Sequence, residues 1–224
     1  VIIANNSKDR FNAIVDLYNY KKPKFIILEK FLFDNLDDYE KAKIIFESIN
    51  TKVWVNQWVS TGFSELSNSF NESKNFKIVI HGKNWNLCSN SVHFIDWFHS
   101  LNKRNEIQLS EINLKNLVLK SKRNGFYETF GKLVFKCKEN QLTLDCDYDK
   151  KSDNKLLISI FCELKVIECE FSGNQLKGTI QHKNTTENFL MNVSYLSERT
   201  SNLIESIFKK NKCSLPTYDQ SVVH

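Results

Sequence analysis

At 224 residues the chain is long enough for one large domain or one and a half small ones, and it can bury a core without disulfides. Its 41% hydrophobic and 25% charged residues give the balance of an ordinary soluble globular protein, and no apolar run approaches the length of a membrane span. The net charge of +5 comes from 31 basic and 26 acidic residues, mostly scattered Lys interleaved with acids. That pattern describes a solvated surface; a nucleic-acid groove needs clustered Arg among aromatics, so nucleic acid is excluded as the main partner.

Val1-Ile2-Ile3-Ala4 is a buried-strand run that passes directly into Asn5-Asn6-Ser7 without a charged leader. It starts in mid-strand and without Met, and the expectation is that an N-terminal segment is missing. From Asp9 to Tyr20, Phe11, Ile14, Val15 and Tyr18 recur at the spacing of an amphipathic helix, with Ser7 as its cap. Lys22-Pro23 breaks the pattern, and Phe25-Ile26-Ile27-Leu28 is the next strand. Asp34 or Asn35 then caps a helix to about Ile49, with Ala42, Ile45, Phe46 and Ile49 inward. Lys52–Val55 is a third strand.

Strand, helix, strand, helix and strand with short connections predict parallel βαβ units, whose ligands bind beyond the carboxyl ends of the strands. That rule places Asn5, Asn6, Glu29, Lys30 and Asn56 along one edge.

After Thr61 the texture changes. Phe76–Ile80 reads as a strand, and Asn90 to Leu101 as a helix with Val92, Ile95 and Phe98 on one side. From about 113 to 191 strands follow one another: 114–120, 131–138, 141–148, 155–163, 165–171 and 175–182. Leu142, Leu144 and Cys146 alternate with Thr143, Asp145 and Asp147, the period of a strand with one wet face. Turn signals at Glu139-Asn140, Ser152-Asp153-Asn154 and Gly173-Asn174 separate the strands as in an antiparallel meander. A last helix, about Ser197 to Lys210, carries Thr200, Leu203, Ile204, Ile207 and Phe208 on its inward side.

The fold class expected is α/β plus α+β: a parallel βαβ unit in residues 1–60, then a large, mainly antiparallel sheet covered by helices in 61–224. The six cysteines have neither C-x-x-C nor zinc spacing. They read as buried free thiols of a cytoplasmic protein, and no metal is expected.

Two constellations can carry chemistry. The first is Leu28-Glu29-Lys30 at a strand end. The second runs from His81-Gly82-Lys83-Asn84-Trp85-Asn86-Leu87 into Cys88-Ser89-Asn90-Ser91-Val92-His93-Phe94-Ile95-Asp96-Trp97, at a strand-to-helix junction. His93 and Asp96 are three apart and share a helix face. The plain alternatives are a solvated strand terminus for Lys30 and, for His93, a capped helix in which Asp96 holds the ring.

Ile26-Ile27-Leu28-Glu29-Lys30-Phe31-Leu32 resembles the E-K-P signature of the glucose–fructose oxidoreductase and inositol dehydrogenase superfamily. The preceding Val1-Ile2-Ile3-Ala4 strand and helix are similar to that family's unit before the signature. Ser91-Val92-His93-Phe94-Ile95-Asp96 resembles its G-x-H-x-x-D motif. Asn84-Trp85-Asn86-Leu87 with Asn90, and the tail from Leu215-Pro216 to His224, are similar to a branch among bacterial surface-glycan gene products.

The resemblance implies a Rossmann-like domain followed by a large-sheet domain, with hydride exchanged between NAD or NADP and a sugar or nucleotide-sugar. It implies that Lys30 and His93 are catalytic, that Asn5, Asn6, Glu29, Lys30 and Asn56 border the cofactor, and that Asn84, Trp85, Ser89, Asn90 and Asp96 border the sugar. It also suggests a homo-oligomer formed through the sheet. An ammonium can stabilise a developing alkoxide, and an imidazole titrates near working pH.

The departures are specific. Phe31 replaces the Pro after Lys30, Ser91 replaces a Gly, and Ser89 stands where many members carry Asp four residues before the His. The six glycines, at 62, 82, 125, 131, 173 and 178, include no phosphate-binding loop, so residues 1–224 alone should bind the dinucleotide poorly. The rival reading is a non-catalytic sugar-binding or interaction protein that keeps the fold.

Overall fold

The computed structural model describes residues 1–70 and 72–224. They divide into two compact units, residues 1–61 with 200–224, and residues 62–199.

In the first unit β1 (Ile2–Ile3), β2 (Phe25–Leu28) and β3 (Lys52–Val55) form a parallel sheet in that order. They are joined by α1 (Ser7–Tyr20) and α2 (Leu36–Ser48). Asn35 caps α2, its side chain accepting from Asp37 N at 3.0 Å. Asn6, not Ser7, is the cap residue of α1; Ser7 is the first helical residue and is buried. The strands read as continuous apolar runs because both faces of the sheet are covered. On one face Ile26, Leu28, Val53 and Val55 pack with Ile14 of α1 and with Ala42 and Phe46 of α2.

The second unit follows α3 (Val59–Gly62) and contains α4 (Ser64–Asn68), β4 (Phe76–Lys83) and α5 (Leu87–Leu101). Then come β5 (Gln108–Lys120), β6 (Tyr127–Cys137), β7 (Asn140–Asp147), β8 (Lys155–Cys162), β9 (Lys165–Ser172), β10 (Gln175–His182) and β11 (Thr185–Asn192). The eight strands are ordered β11-β10-β9-β8-β4-β7-β6-β5. Among the described residues of this sheet only β4 and β7 pair in parallel, and the other neighbouring pairs are antiparallel. The mainly antiparallel sheet expected from the period-two pattern is therefore present.

One sheet face is dry: Ile78, Ile80, Leu142, Leu144, Cys146, Ile158 and Ile160 are all 0% exposed. Helix α5 lies against β6 and β7. It is enclosed on more sides than its apolar stripe suggests, with every residue from Ser91 to His99 buried. Trp97 packs edge-on against Phe63 (centroids 5.5 Å) and Phe70 (6.3 Å).

Helix α6 (Leu196–Lys210) and α7 (Tyr218–Val222) end the chain. A sequence reading that closes the first segment near residue 60 leaves the second face of the small sheet bare. The structure covers it with the C-terminal segment, where Leu203, Ile207 and Leu215 meet Ile27 and Trp54. That apolar match is why residues 200–224 belong with 1–61 and not with the large sheet. Ile204 and Phe208, expected inward on α6, are 38% and 77% exposed. Thr217 bridges to Trp54 and forms a capping box with Gln220 at α7. No helix among the described residues is long and apolar enough to cross a membrane.

Candidate functional site

Strands β1, β2 and β3 end in register at Ile3, Leu28 and Val55. Asn5 and Asn6, Glu29 and Lys30, and Asn56 therefore emerge on one edge, as the topology predicts. The edge is built: Glu29 N donates to Ile3 O at 3.0 Å, and Asn56 N to Leu28 O at 2.8 Å. The Asn56 side-chain amide donates to Glu29 Oε1 at 2.5 Å. Lys30 is half-buried, with Nζ 5.5 Å from the Phe31 ring centroid, and the Lys30–Phe31 peptide bond is cis. Asn6 is exposed, whereas Asn5 is half-buried and its Oδ1 has no hydrogen-bond partner among the described residues. A buried acceptor without a donor carries a desolvation cost that a ligand amide can relieve.

Arg10 of α1 was not singled out by the sequence pattern. It is 1% exposed; its Nη1 donates to Phe31 O and to Leu32 O (2.9 Å), and its Nη2 donates to Asn5 O. The available signal was its position four residues before Ile14, which puts both on one helix face. The buried line of α1 is Ser7, Arg10 and Ile14.

In the second unit the chain turns from β4 into α5 through Asn84 and Asn86, both at positive φ (53° and 62°). Asn tolerates that region better than most residues. The Asn84 amide donates to Asp149 O (2.6 Å) and Ser152 O (2.9 Å), and its Oδ1 accepts from Asp149 N (3.1 Å), so it fastens the β7–β8 loop. Trp85 is 4% exposed; its indole N–H donates to Asp145 O at 2.9 Å and its ring meets Phe94 edge-on at 5.8 Å. Asn90 Nδ2 donates to Trp85 O at 2.7 Å. These contacts consume much of the polar capacity of Asn84, Trp85 and Asn90 within the protein.

Glu128 of β6 is the second residue that local pattern could not reveal. It is 6% exposed and accepts from Cys88 N (2.9 Å) and from Ser89 Oγ. Its carboxylate satisfies an otherwise orphaned first-turn N–H of α5 and complements the positive end of the helix dipole. That tertiary cap explains why α5 starts at Leu87, one turn before the expected Asn90. It also places a carboxylate beside Ser89.

His93 is 6% exposed, and Asp96 is fully enclosed. Asp96 Oδ1 pairs with Arg104 Nη1 at 2.5 Å, and the same guanidinium nitrogen lies 3.5 Å from His99 Nδ1. Burial, and then the Arg104 charge, push His99 below the usual histidine range. Burial raises the Cys146 thiol to about 11 and the Cys169 thiol to about 12, so neither is a thiolate nucleophile. All six cysteines are free, and no cluster of three or more His, Cys, Asp or Glu among the described residues is arranged to hold a metal ion.

No family model and no curated protein matches the sequence. Solved structures do match. The dehydrogenase MviM from Clostridium difficile has a TM-score of 0.71 at 14% identity, over 99% of this chain and 74% of that one. The proposed oxidoreductase yvaA from Bacillus subtilis gives 0.72 at 10% identity, over 99% and 74%. The transcriptional regulator Gal80p from Kluyveromyces lactis gives 0.67 at 14% identity, over 99% and 71%. The small parallel sheet, the large mixed sheet and these neighbours agree: the chain shares the α/β fold of these solved structures.

Proposed function

We propose that the protein is an NAD(P)-dependent oxidoreductase acting on a sugar or nucleotide-sugar in surface polysaccharide biosynthesis, in the cytoplasm. The observation that carries this reading is the built strand edge, where Asn5, Glu29, Lys30 and Asn56 follow three parallel strands ending in register. The donorless Oδ1 of Asn5 fits the carboxamide of a nicotinamide, and the Glu29–Asn56 pair offers further polar groups. The pyrophosphate is a different matter, because residues 1–224 hold no glycine-rich loop.

When bound, the cofactor supplies or removes the hydride. Lys30 presents an ammonium to the reacting oxygen and stabilises its developing negative charge. To His93 the same reading assigns proton exchange. Ser89, with the Glu128 carboxylate behind it, together with Asn84, Trp85, Asn90 and Asp96, shapes the sugar side; of these Asp96 acts through Arg104 rather than by touch. A homo-oligomer formed through the large sheet belongs to the same reading.

Calorimetry with the reduced dinucleotide tests the cofactor assignment. Residues 1–224 should bind it weakly or not at all, while a longer chain that carries a glycine-rich loop should bind it. Equal affinity for both would remove the argument from the phosphate loop.

A second reading is a non-catalytic binding or interaction protein. It is favoured by the Gal80p likeness, since that neighbour is a transcriptional regulator, and by the internal engagement of Asn84, Trp85 and Asn90. Sugar binding without turnover, with either nicotinamide dinucleotide present, would select it.

A further inference from the structure

Arg10 carries its charge into the interior of the first unit, at 1% exposure. A buried cation is costly to desolvate, so the acceptors around it account for its presence there. Three of them are main-chain carbonyls, those of Asn5, Phe31 and Leu32. They belong to the two loops that leave the carboxyl ends of β1 and β2, one bearing Asn5 and the other Lys30. From Glu29 to Asn35 the chain lies outside any strand or helix, so the sheet ladder does not set its course. Leu32 and Phe33 are 4% and 5% exposed and anchor that loop on the apolar side. The guanidinium holds its polar side. A planar fork with several fixed donors can bind three carbonyls at once; a lysine ammonium of similar reach cannot reproduce that geometry.

We infer that Arg10 is a positioning residue, which fixes the two strand-end loops against one another and so sets where Lys30 and Asn5 are held. The inference rests on the reading above only in treating Lys30 and Asn5 as site residues. The alternative is that Arg10 merely contributes to the general stability of the unit.

Hydrogen exchange and lysine acylation on the 224-residue chain separate the two, using wild type, Arg10→Lys and Arg10→Met. In wild type, residues 31–33 should exchange more slowly than the exposed loop 150–154. In Arg10→Lys, exchange at residues 30–33 should rise roughly ten-fold or more while Val53–Val55 change less than about two-fold, because local opening is uncoupled from global unfolding. The ratio of Lys30 to Lys24 acylation by acetic anhydride should shift by roughly three-fold or more in the same variant, for the same reason. A uniform rise across β3 and the loop, or an unchanged loop and an unchanged acylation ratio, would overturn the inference. Should neither variant fold, the wild-type comparison decides: a 31–33 segment that exchanges as fast as 150–154 is not held. Normal turnover in a Lys30→Ala enzyme would remove the catalytic reading and leave the exchange result standing.

Discussion

Asn56 donates its side-chain amide to Glu29 Oε1 at 2.5 Å, tying the residue after β3 to the residue after β2. The pair crosses between neighbouring parallel strands at the end where ligands bind in this topology. Asn56→Leu removes the donor from a half-buried carboxylate. We expect a loss of about 1–3 kcal/mol, the scale of a hydrogen bond to a charged group, in urea unfolding. On the proposed reading, weaker dinucleotide binding should accompany it. Unchanged stability and unchanged binding would show the pair to be incidental.

The Asp96–Arg104 ion pair should behave differently from pairs at the surface. Asp96 is wholly enclosed, and Arg104 is 24% exposed. Asp96→Asn should destabilise the chain by about 3–5 kcal/mol, because it leaves a cation without its buried counter-charge. Lys41→Ala, at the more exposed Asp38–Lys41 pair, should cost less than about 1 kcal/mol. Guanidinium midpoints for the two variants provide the comparison.

His99 gives a pH dependence with a defined sign. Its folded-state pKa lies below the ordinary histidine range, chiefly through burial and then through the Arg104 charge; backbone contacts at Arg104 and Asn105 and the Asp96 charge oppose the shift. The unfolded chain therefore binds the proton more readily, and stability falls as pH drops below about 6.5 until the folded-state value is passed. His99→Gln should flatten that part of the stability profile. A wild-type profile level between pH 7 and 5, roughly the range in which histidine titrates, would contradict this.

Gly82 and Gly173 should respond oppositely in size to alanine. A Cβ at Gly82 would sit 1.9 Å from Lys155 O, in the β4–β8 ladder, at φ +153°. At Gly173 it would meet nothing within 4 Å, leaving only the cost of φ +61°. Thermal unfolding should show Gly173→Ala losing about 1–2 kcal/mol, and Gly82→Ala losing clearly more, about 2–4 kcal/mol or failing to fold. Equal losses would refute the close approach.

The fold was legible where periodicity and burial coincide. Ile26–Leu28 and Val53–Val55 are covered on both faces and read as apolar runs; Leu142, Leu144 and Cys146 alternate with wetter neighbours and read as a half-wet strand. The strand edge was legible for the same reason, since Asn5, Glu29 and Asn56 each follow directly on such a strand. What escaped depends on partners distant in sequence. Glu128 reaches Cys88 and Ser89 across about 40 residues, and Arg10 reaches Phe31 and Leu32 across 21 and 22. Strand β11 (Thr185–Asn192) is largely exposed at the sheet edge and carries few apolar residues to mark it. The return of residues 200–224 to the first unit depends on a bare sheet face that only the assembled fold presents.

The most direct test is turnover. Protein made from the whole reading frame is incubated with NAD or NADP and a panel of sugars and nucleotide-sugars, and the near-ultraviolet absorbance of the reduced nicotinamide is followed. One sugar class should give a change that falls roughly 10²–10⁴-fold in both Lys30→Ala and His93→Ala, the scale of positioned acid–base and electrostatic groups, with dinucleotide affinity much less affected. Sugar binding by calorimetry with no absorbance change under any pairing, or wild-type turnover in Lys30→Ala, would contradict the account.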